Sequence, residues 1–319
     1  MEKKTADGMQ YYTPPQKIGA WEGFKKFIWN SESSQFLGRT GSSWAKIILF
    51  YLIFYAALTG FFGAMLAVFY QTLNTKMPKW KLEESIIGSN PGLGFRPMPP
   101  ESNVESTLIW YRGTDSQNYK YWTEELDRFL AVYKKPGTVA GVGQNKMACD
   151  YNTQVPEGKV CDVNIDNWTP CTSANHYNYQ KNAPCIFLKL NKIFDWQPNF
   201  YNETTDLPTN MPEDLKNHIK STDTKNKAEL NTVWVSCEGE NPADLENIGP
   251  IQYMPRRGFP GYFFPFMNQE GYLSPIVAIF FERPTTGVLI NIECKAWAKN
   301  IHHDRAERRG SVHFELMID

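Results

Sequence analysis

Several chemistries are missing from this chain of 319 residues. Lys and Arg total 33 against 34 Asp and Glu, a formal net charge of −1, so neither a nucleic-acid surface nor an acidic surface is indicated. Histidine is scarce, five in all. Only His302 and His303 are neighbours, and beside Asp304 nothing supplies the further convergent ligands a metal needs. Those three residues are expected in an exposed loop, and His176, His218 and His313 are expected to be structural or solvated. No Asp-x-Asp of the metal-dependent nucleotide-sugar transferases occurs, and no Gly-x-Ser-x-Gly elbow. Gly141 and Gly143 in GTVAGVGQNK lack phosphate-loop spacing. The pair Glu124-Glu125 falls on the polar side of an expected helix. No catalytic residue, metal or cofactor is assigned. Internal repeats and low-complexity blocks are absent too.

Cysteine does not occur before Cys149, and long apolar runs are missing except for one, WAKIILFYLIFYAALTGFFGAMLAVFYQ, from Trp44 to Gln71. Between Ile47 and Tyr70 there is no Asp, Glu, Lys, Arg, His, Asn or Gln. About 20 apolar residues in a helix cross a bilayer core about 30 Å thick, so residues 44–71 are expected to be a transmembrane helix. A cleaved signal peptide is excluded: the run begins too late, is too long for a signal core, and ends on Tyr70, Gln71 and Thr72 with no small-residue cleavage pattern. Trp44 and Tyr70 stand where an aromatic belt would anchor its ends. One face stands out. Tyr51 and Tyr55 are four apart and share it, and Ala56, Gly60 and Ala64 form a small-xxx-small line with Gly63 and Ala67 beside it. Close helix approach uses small residues, and a Tyr hydroxyl in hydrocarbon wants a partner. A second helix is therefore expected against this span.

The 1–43 segment is net positive, which favours the cytosol. Within it, 1–20 is expected to be a disordered tail. After it, Trp21, Phe24 and Ile28 recur at helical spacing beside Lys25 and Lys26, which fits an amphipathic helix at the headgroups and equally a partly ordered juxtamembrane linker. All six cysteines, Cys149, Cys161, Cys171, Cys185, Cys237 and Cys294, follow the span. So do two glycosylation sequons, at Asn167 (NWT, followed by Pro170) and Asn202 (NET). An even cysteine count on one side points to an oxidising compartment, and the expected topology is type II, with the tail in the cytoplasm and the large domain outside. Six cysteines allow fifteen connectivities; neighbour pairing is the cheapest for the first four.

Residues 72–104 are Pro- and Gly-rich and are expected to be an irregular extracellular stalk. From 105 to 319 a disulfide-bonded domain is expected. STLIWYRG reads as a strand. DSQNYKYWTEELDRFLAVYKKPG reads as a helix with Trp122, Leu126, Phe129, Leu130 and Tyr133 on one face, capped by Ser116 or Asn118 and stopped by Pro136-Gly137. CIFLKLNKIF, GVLINIECKAW and SVHFELMID carry the period of two that marks strands, and TVWVSC and SPIVAIFFE add two more candidate strands. The expected fold is a single transmembrane helix plus an extracellular, immunoglobulin-like antiparallel β-sandwich with one packed helix. On these features alone a free-standing type II adhesion or lectin-like receptor is a competitor; WQPN at Trp196 to Asn199 is its faint sugar-binding signal.

The run FLGRTGSSWAKIILFYLIFY resembles the entry and span of the sodium/potassium-transporting ATPase beta-subunit family. PCIFLKLNKIFDWQP, NIGPIQYMPRRGFPGYFFPF, YLSPIVAIFF, INIECKAWAKNI and GSVHFELMID resemble its later segments, so the likeness covers nearly the whole chain. ESIIGSNPGLGFRPMPP is most like invertebrate members. The resemblance implies a non-catalytic accessory subunit in the plasma membrane, which escorts the catalytic alpha subunit from the endoplasmic reticulum, stabilises it and tunes potassium occlusion. It implies the pairings Cys149–Cys161, Cys171–Cys185 and Cys237–Cys294. It implies contact of Tyr51 and Tyr55 with the seventh transmembrane helix of the alpha subunit, and of Tyr262, Phe263, Phe264 and Phe266 with the loop after that helix. Membrane lipid and a small single-span regulatory subunit are further implied partners.

Overall fold

The computed structural model describes residues 19–103, 105–134, 145–304, 307 and 309–319. The expected tail over 1–18, the Pro136-Gly137 helix stop and the Gly141/Gly143 stretch lie outside the described residues. The chain forms two compact units that meet in sequence at Asn74 and Thr75.

In the first unit, helix α1 (Ala20–Ile28) runs into a three-stranded meander, β1 (Trp29–Asn30), β2 (Gln35–Phe36) and β3 (Arg39–Thr40), and then into α2 (Gly41–Gln71). A run of residues without proline and almost without polar side chains sustains α2 for 31 residues, about 46 Å at 1.5 Å per residue. At its end the Thr72 hydroxyl donates to the Phe69 carbonyl at 2.7 Å. Among the described residues α2 is the one helix long and apolar enough to cross a membrane.

The second unit is a sandwich of two sheets. Its elements in chain order are β4 (Leu93–Arg96), β5 (Leu108–Tyr111), α3 (Ser116–Lys134), the short pair β6 (Lys146–Met147) and β7 (Val160–Cys161), β8 (Cys185–Leu190), α4 (Glu213–Lys225), β9 (Thr232–Gly239), α5 (Pro242–Asn247), β10 (Ile251–Met254), β11 (Gly258–Pro260), β12 (Ile276–Phe281), β13 (Leu289–Trp297) and β14 (Ser311–Ile318). One sheet has the order β11-β9-β13-β14-β5 and the other β10-β12-β8-β4. Pairing in the two sheets is antiparallel, except that edge strand β5 runs parallel to β14.

Alternation decides which side chains meet between the sheets. Register aligns Ile292 with Phe314, Ile290 with Leu316 and Cys294 with Cys237 in the larger sheet. It aligns Ile279 with Ile186 and Val277 with Leu188 in the smaller one. These inward rows are buried. Phe314 sits at their centre, stacked on Phe95 at 5.0 Å and edge-on to Phe281 at 6.3 Å. Outside the smaller sheet, α3 lays Phe129 against Phe187 at 6.5 Å, and its Trp122 indole donates to the Trp110 carbonyl at 2.9 Å. The cap of α3 is Asp115, whose carboxylate accepts from the Gln117 N–H at 2.9 Å; neither Ser116 nor Asn118 fills that place. Asn118 instead accepts from the Arg112 N–H at 2.7 Å.

Several features depart from the sequence-based expectation. Residues 93–96 are a strand of the sandwich, with Leu93 and Phe95 buried. Gly92, just before it, lies beside the Asn191 side chain: a Cβ there would sit 2.9 Å from its amide nitrogen. A second substantial helix, α4, buries Leu215, Ile219 and Thr222, and forms with Tyr201, Met211, Trp234 and Trp297 a small core outside the larger sheet. The Cys237–Cys294 bridge joins adjacent strands of one sheet, whereas the bridge of antibody domains spans two. The other bridges, Cys149–Cys161 and Cys171–Cys185, close loops leading to β7 and β8.

One buried carboxylate ties α5 to the larger sheet. Asp244 accepts from the Asn241 N–H at 3.2 Å in a capping box and from the Asn291 N–H at 3.1 Å. The approach is so close that a Cβ on Gly239 would fall 2.4 Å from the Asp244 backbone. Burial acts to raise the Asp244 pKa, and the hydrogen bonds from Asn291 and Asn241 outweigh it, leaving it below the ordinary value of 3.8. The stabilisation this gives is complete above that ordinary value and is lost as the pH falls toward the native one. Asp244→Asn is expected to cost about 1–3 kcal/mol at neutral pH and to flatten the acid limb of the stability curve below about pH 4, read by chemical denaturation of the detergent-solubilised chain. A variant with the acid limb of the parent would contradict the network. Phe314→Ala in the same assay is expected to lose about 3–5 kcal/mol, and a loss under about 1 kcal/mol would show that the ring does not centre the core.

Candidate partner-binding surfaces

The residues singled out in the sequence fall on two surfaces, one on each unit. The first is α2, none of whose side chains is buried. At 3.6 residues per turn, Trp44, Ile48, Tyr51 and Tyr55 form one face. The Tyr51 and Tyr55 rings stack at 6.0 Å and remain 50% and 58% exposed. Beside them Phe50 and Phe54 stack at 6.2 Å, and each meets its tyrosine edge-on at 5.4 Å. The result is a ladder of four rings, two of them carrying hydroxyls. Phe50 and Phe54 were missed in the sequence, although their spacing of four repeats that of the tyrosines. The small-residue line does not share this face: Gly60 lies about 180° around the helix from Tyr51. A Cβ on Gly60 or Gly63 would meet nothing within 4 Å outside the helix's own backbone. The span thus has an aromatic side and, opposite it, a groove.

The second surface is the run after β11. Gly261 donates its N–H to the Asn231 carbonyl at 2.7 Å, and a Cβ there would be 2.8 Å from the Phe200 ring. This pins the turn Gly261–Phe263 and sets which rings turn inward. Phe263 is 7% exposed and packs into the core, although it also lines the cleft described below. Its neighbours are half-buried: Tyr262 packs edge-on to Tyr151 at 5.3 Å, Phe264 on Trp196 at 5.5 Å, and Phe266 on Tyr272 at 4.9 Å. Lys192 lies 5.0 Å above Phe266. Tyr151, Phe200, Tyr262, Phe264 and Tyr272 line an open cleft of about 1170 Å³ against the 150–161 loop. Burial pushes the Tyr262 and Tyr272 hydroxyls up.

Asn167 and Asn202 are both exposed, within reach of a modifying enzyme. His302 and Asp304 are exposed, as expected, whereas His303 in the same loop is half-buried. Its Nε2 lies 2.7 Å from the Ala296 carbonyl and its ring packs edge-on to Trp297 at 4.5 Å. Burial holds its pKa below the ordinary histidine value. His313 faces Glu240 at 2.5 Å and Glu315 at 3.4 Å, and His218 stands edge-on to Trp234. Among the described residues no three His, Cys, Asp or Glu side chains come together as metal ligands would. Both surfaces are rich in aromatic area, and on α2 the Tyr51 and Tyr55 rings are exposed.

Comparison with known proteins agrees with that character. The family model described as the sodium/potassium ATPase beta chain matches residues 15–314. A sodium/potassium-transporting ATPase subunit beta-2 of Drosophila melanogaster is 57% identical over 98% of this chain and 97% of its own length. A subunit beta-1 of the same organism is 42% identical over 99% of this chain and 98% of its own. A probable subunit beta-3 of Caenorhabditis briggsae is 32% identical over 93% and 87% respectively. With its membrane helix, its three disulfides and a match along nearly its whole length, this chain belongs to the sodium/potassium ATPase beta chain family.

Proposed function

We propose that the chain is the non-catalytic accessory subunit of a sodium- and potassium-transporting P-type ATPase. It escorts the catalytic alpha subunit out of the endoplasmic reticulum, holds it stable in the plasma membrane and tunes its potassium occlusion. The observation that carries this reading is the ladder Phe50, Tyr51, Phe54 and Tyr55, displayed on a span with no Asp, Glu, Lys, Arg or His from Ile47 to Tyr70. An intramembrane ion path uses polar or ionisable groups at depth, so ion binding is assigned to the partner. The tyrosine side of α2 is assigned to the seventh transmembrane helix of the alpha subunit. Tyr262, Phe264 and Phe266 are assigned to the loop that follows that helix. The disulfides and the two exposed sequons support an extracellular second unit and a cytoplasmic N-terminus. A small single-span regulatory subunit is kept as a further partner on resemblance alone.

Tyr51→Ala combined with Tyr55→Ala is expected to weaken co-purification with the alpha subunit by roughly tenfold, from about 0.6–1.7 kcal/mol per intramembrane contact, and to shift apparent potassium affinity. Unchanged recovery together with unchanged potassium activation would refute the assignment. Asn167→Gln and Asn202→Gln are each expected to remove one glycosidase-sensitive step in gel mobility from protein made in insect cells. A parent chain that glycosidase does not shift would contradict the extracellular placement of the second unit.

A further inference from the structure

The segment before the span is a folded module whose apolar side chains point outward. Trp21, Phe24, Phe27, Trp29, Phe36 and Leu37 are all exposed, Trp21 at 67% and Trp29 at 60%. The module is nonetheless internally ordered. The Leu37 N–H donates to the Ile28 carbonyl at 3.0 Å, Lys26 pairs with Glu32 at 3.0 Å, and β1, β2 and β3 pair antiparallel. Gly38, at φ +73°, turns the chain beside the Phe27 ring.

Its depth is fixed by α2. The Trp44 indole donates to the Phe36 carbonyl at 2.8 Å, and the two rings lie 6.2 Å apart. Trp44 is three residues, about 4.5 Å of helix rise, from Ile47, where the uncharged run begins. The meander is therefore held at the height of the headgroups, continuous with a surface already facing lipid. Its charge suits that place: Lys25, Lys26, Arg39 and Lys46 outnumber Glu22 and Glu32, and Lys25 lies 5.7 Å over the Trp21 ring. Trp and Phe on one side with lysines beside them is the pattern of helices that lie in the interface plane.

We infer that residues 20–40 form a lipid-binding foot that seats its aromatic side among the anionic headgroups of the leaflet in which α2 begins. Trp44 lies within about 20° of Tyr51 around the helix. The foot therefore grips α2 on its tyrosine side and fixes how far the span can rotate or sink. This inference stands on the first unit alone and does not depend on the partner assignment above.

Spin labelling of the full chain tests it. Among the described residues no cysteine is free, so an introduced thiol is the site that reacts. Labels at Trp21→Cys and Phe24→Cys, with Glu22→Cys as the polar-side control, are compared in nanodiscs holding one chain each, made of phosphatidylcholine with or without phosphatidylserine. Labels at 21 and 24 are expected to be relaxed by oxygen and shielded from a water-soluble nickel chelate, and the label at 22 the reverse. Adding Lys25→Gln and Arg39→Gln is expected to lower the docked-to-undocked ratio about fivefold per charge in the phosphatidylserine discs and to leave it unchanged in phosphatidylcholine. Equal nickel access at all three positions would overturn the inference. So would shielding that appears only when a disc holds two chains, or shielding indifferent to both phosphatidylserine and the two substitutions.

Discussion

A helix in hydrocarbon that carries no Asp, Glu, Lys, Arg or His acts through its sides. Its backbone is satisfied internally, its side chains offer no charge to move an ion, and what remains is shape, aromatic area and a few hydroxyls. From Ile47 to Tyr70 this chain accepts that restriction completely. The features of α2 follow from it: a ladder of four rings on one side, a line of small residues on the other, and α1 with its meander anchored through Trp44 on the ladder's side.

The second unit is built on the opposite logic, from alternation. Alternate side chains of its two sheets face one another, so Phe314, Phe281 and Phe95 converge from three strands of both sheets, while the outer faces of β8, β9 and β12 are covered as well. Disulfides fasten loops and neighbouring strands, and the sheets are joined by packing and by the Cys237 N–H, which donates to the Tyr253 hydroxyl at 2.9 Å. A rigid scaffold of this kind can hold the half-buried rings of Tyr262, Phe264 and Phe266 beside an open cleft. That is an economical way to present a contact surface without leaving a large greasy patch in water.

Much of this was legible in the sequence because period is a strong signal. Apolar spacing marked α3 and strands β8, β13 and β14, an unbroken apolar run marked the span, and short apolar, β-rich stretches marked β5, β9 and β12. What escaped did so for identifiable reasons. Helix α4 buries only Leu215, Ile219 and Thr222, too thin a stripe to stand out from its charges. Strand β4 hides in a Gly- and Pro-rich stretch because only Leu93 and Phe95 alternate inward, too short a pattern to stand out. Phe263 looked like its aromatic neighbours, and only the turn at Gly261 decides that it faces inward. The small-residue line was grouped with the tyrosines, although a count of residues per turn separates them. His303, expected to be exposed, turns back onto the Trp297 ring and the Ala296 carbonyl at the end of the preceding strand, a local fold of the loop that carries no periodic signal.

The account is tested most directly by transport in proteoliposomes that contain this chain alone or together with a sodium-pump catalytic subunit. It predicts no ATP hydrolysis and no rubidium uptake from the chain alone, and both activities when the two are reconstituted together, with the catalytic subunit less stable in the absence of its companion. Nucleotide hydrolysis or ion flux by the chain alone would contradict it.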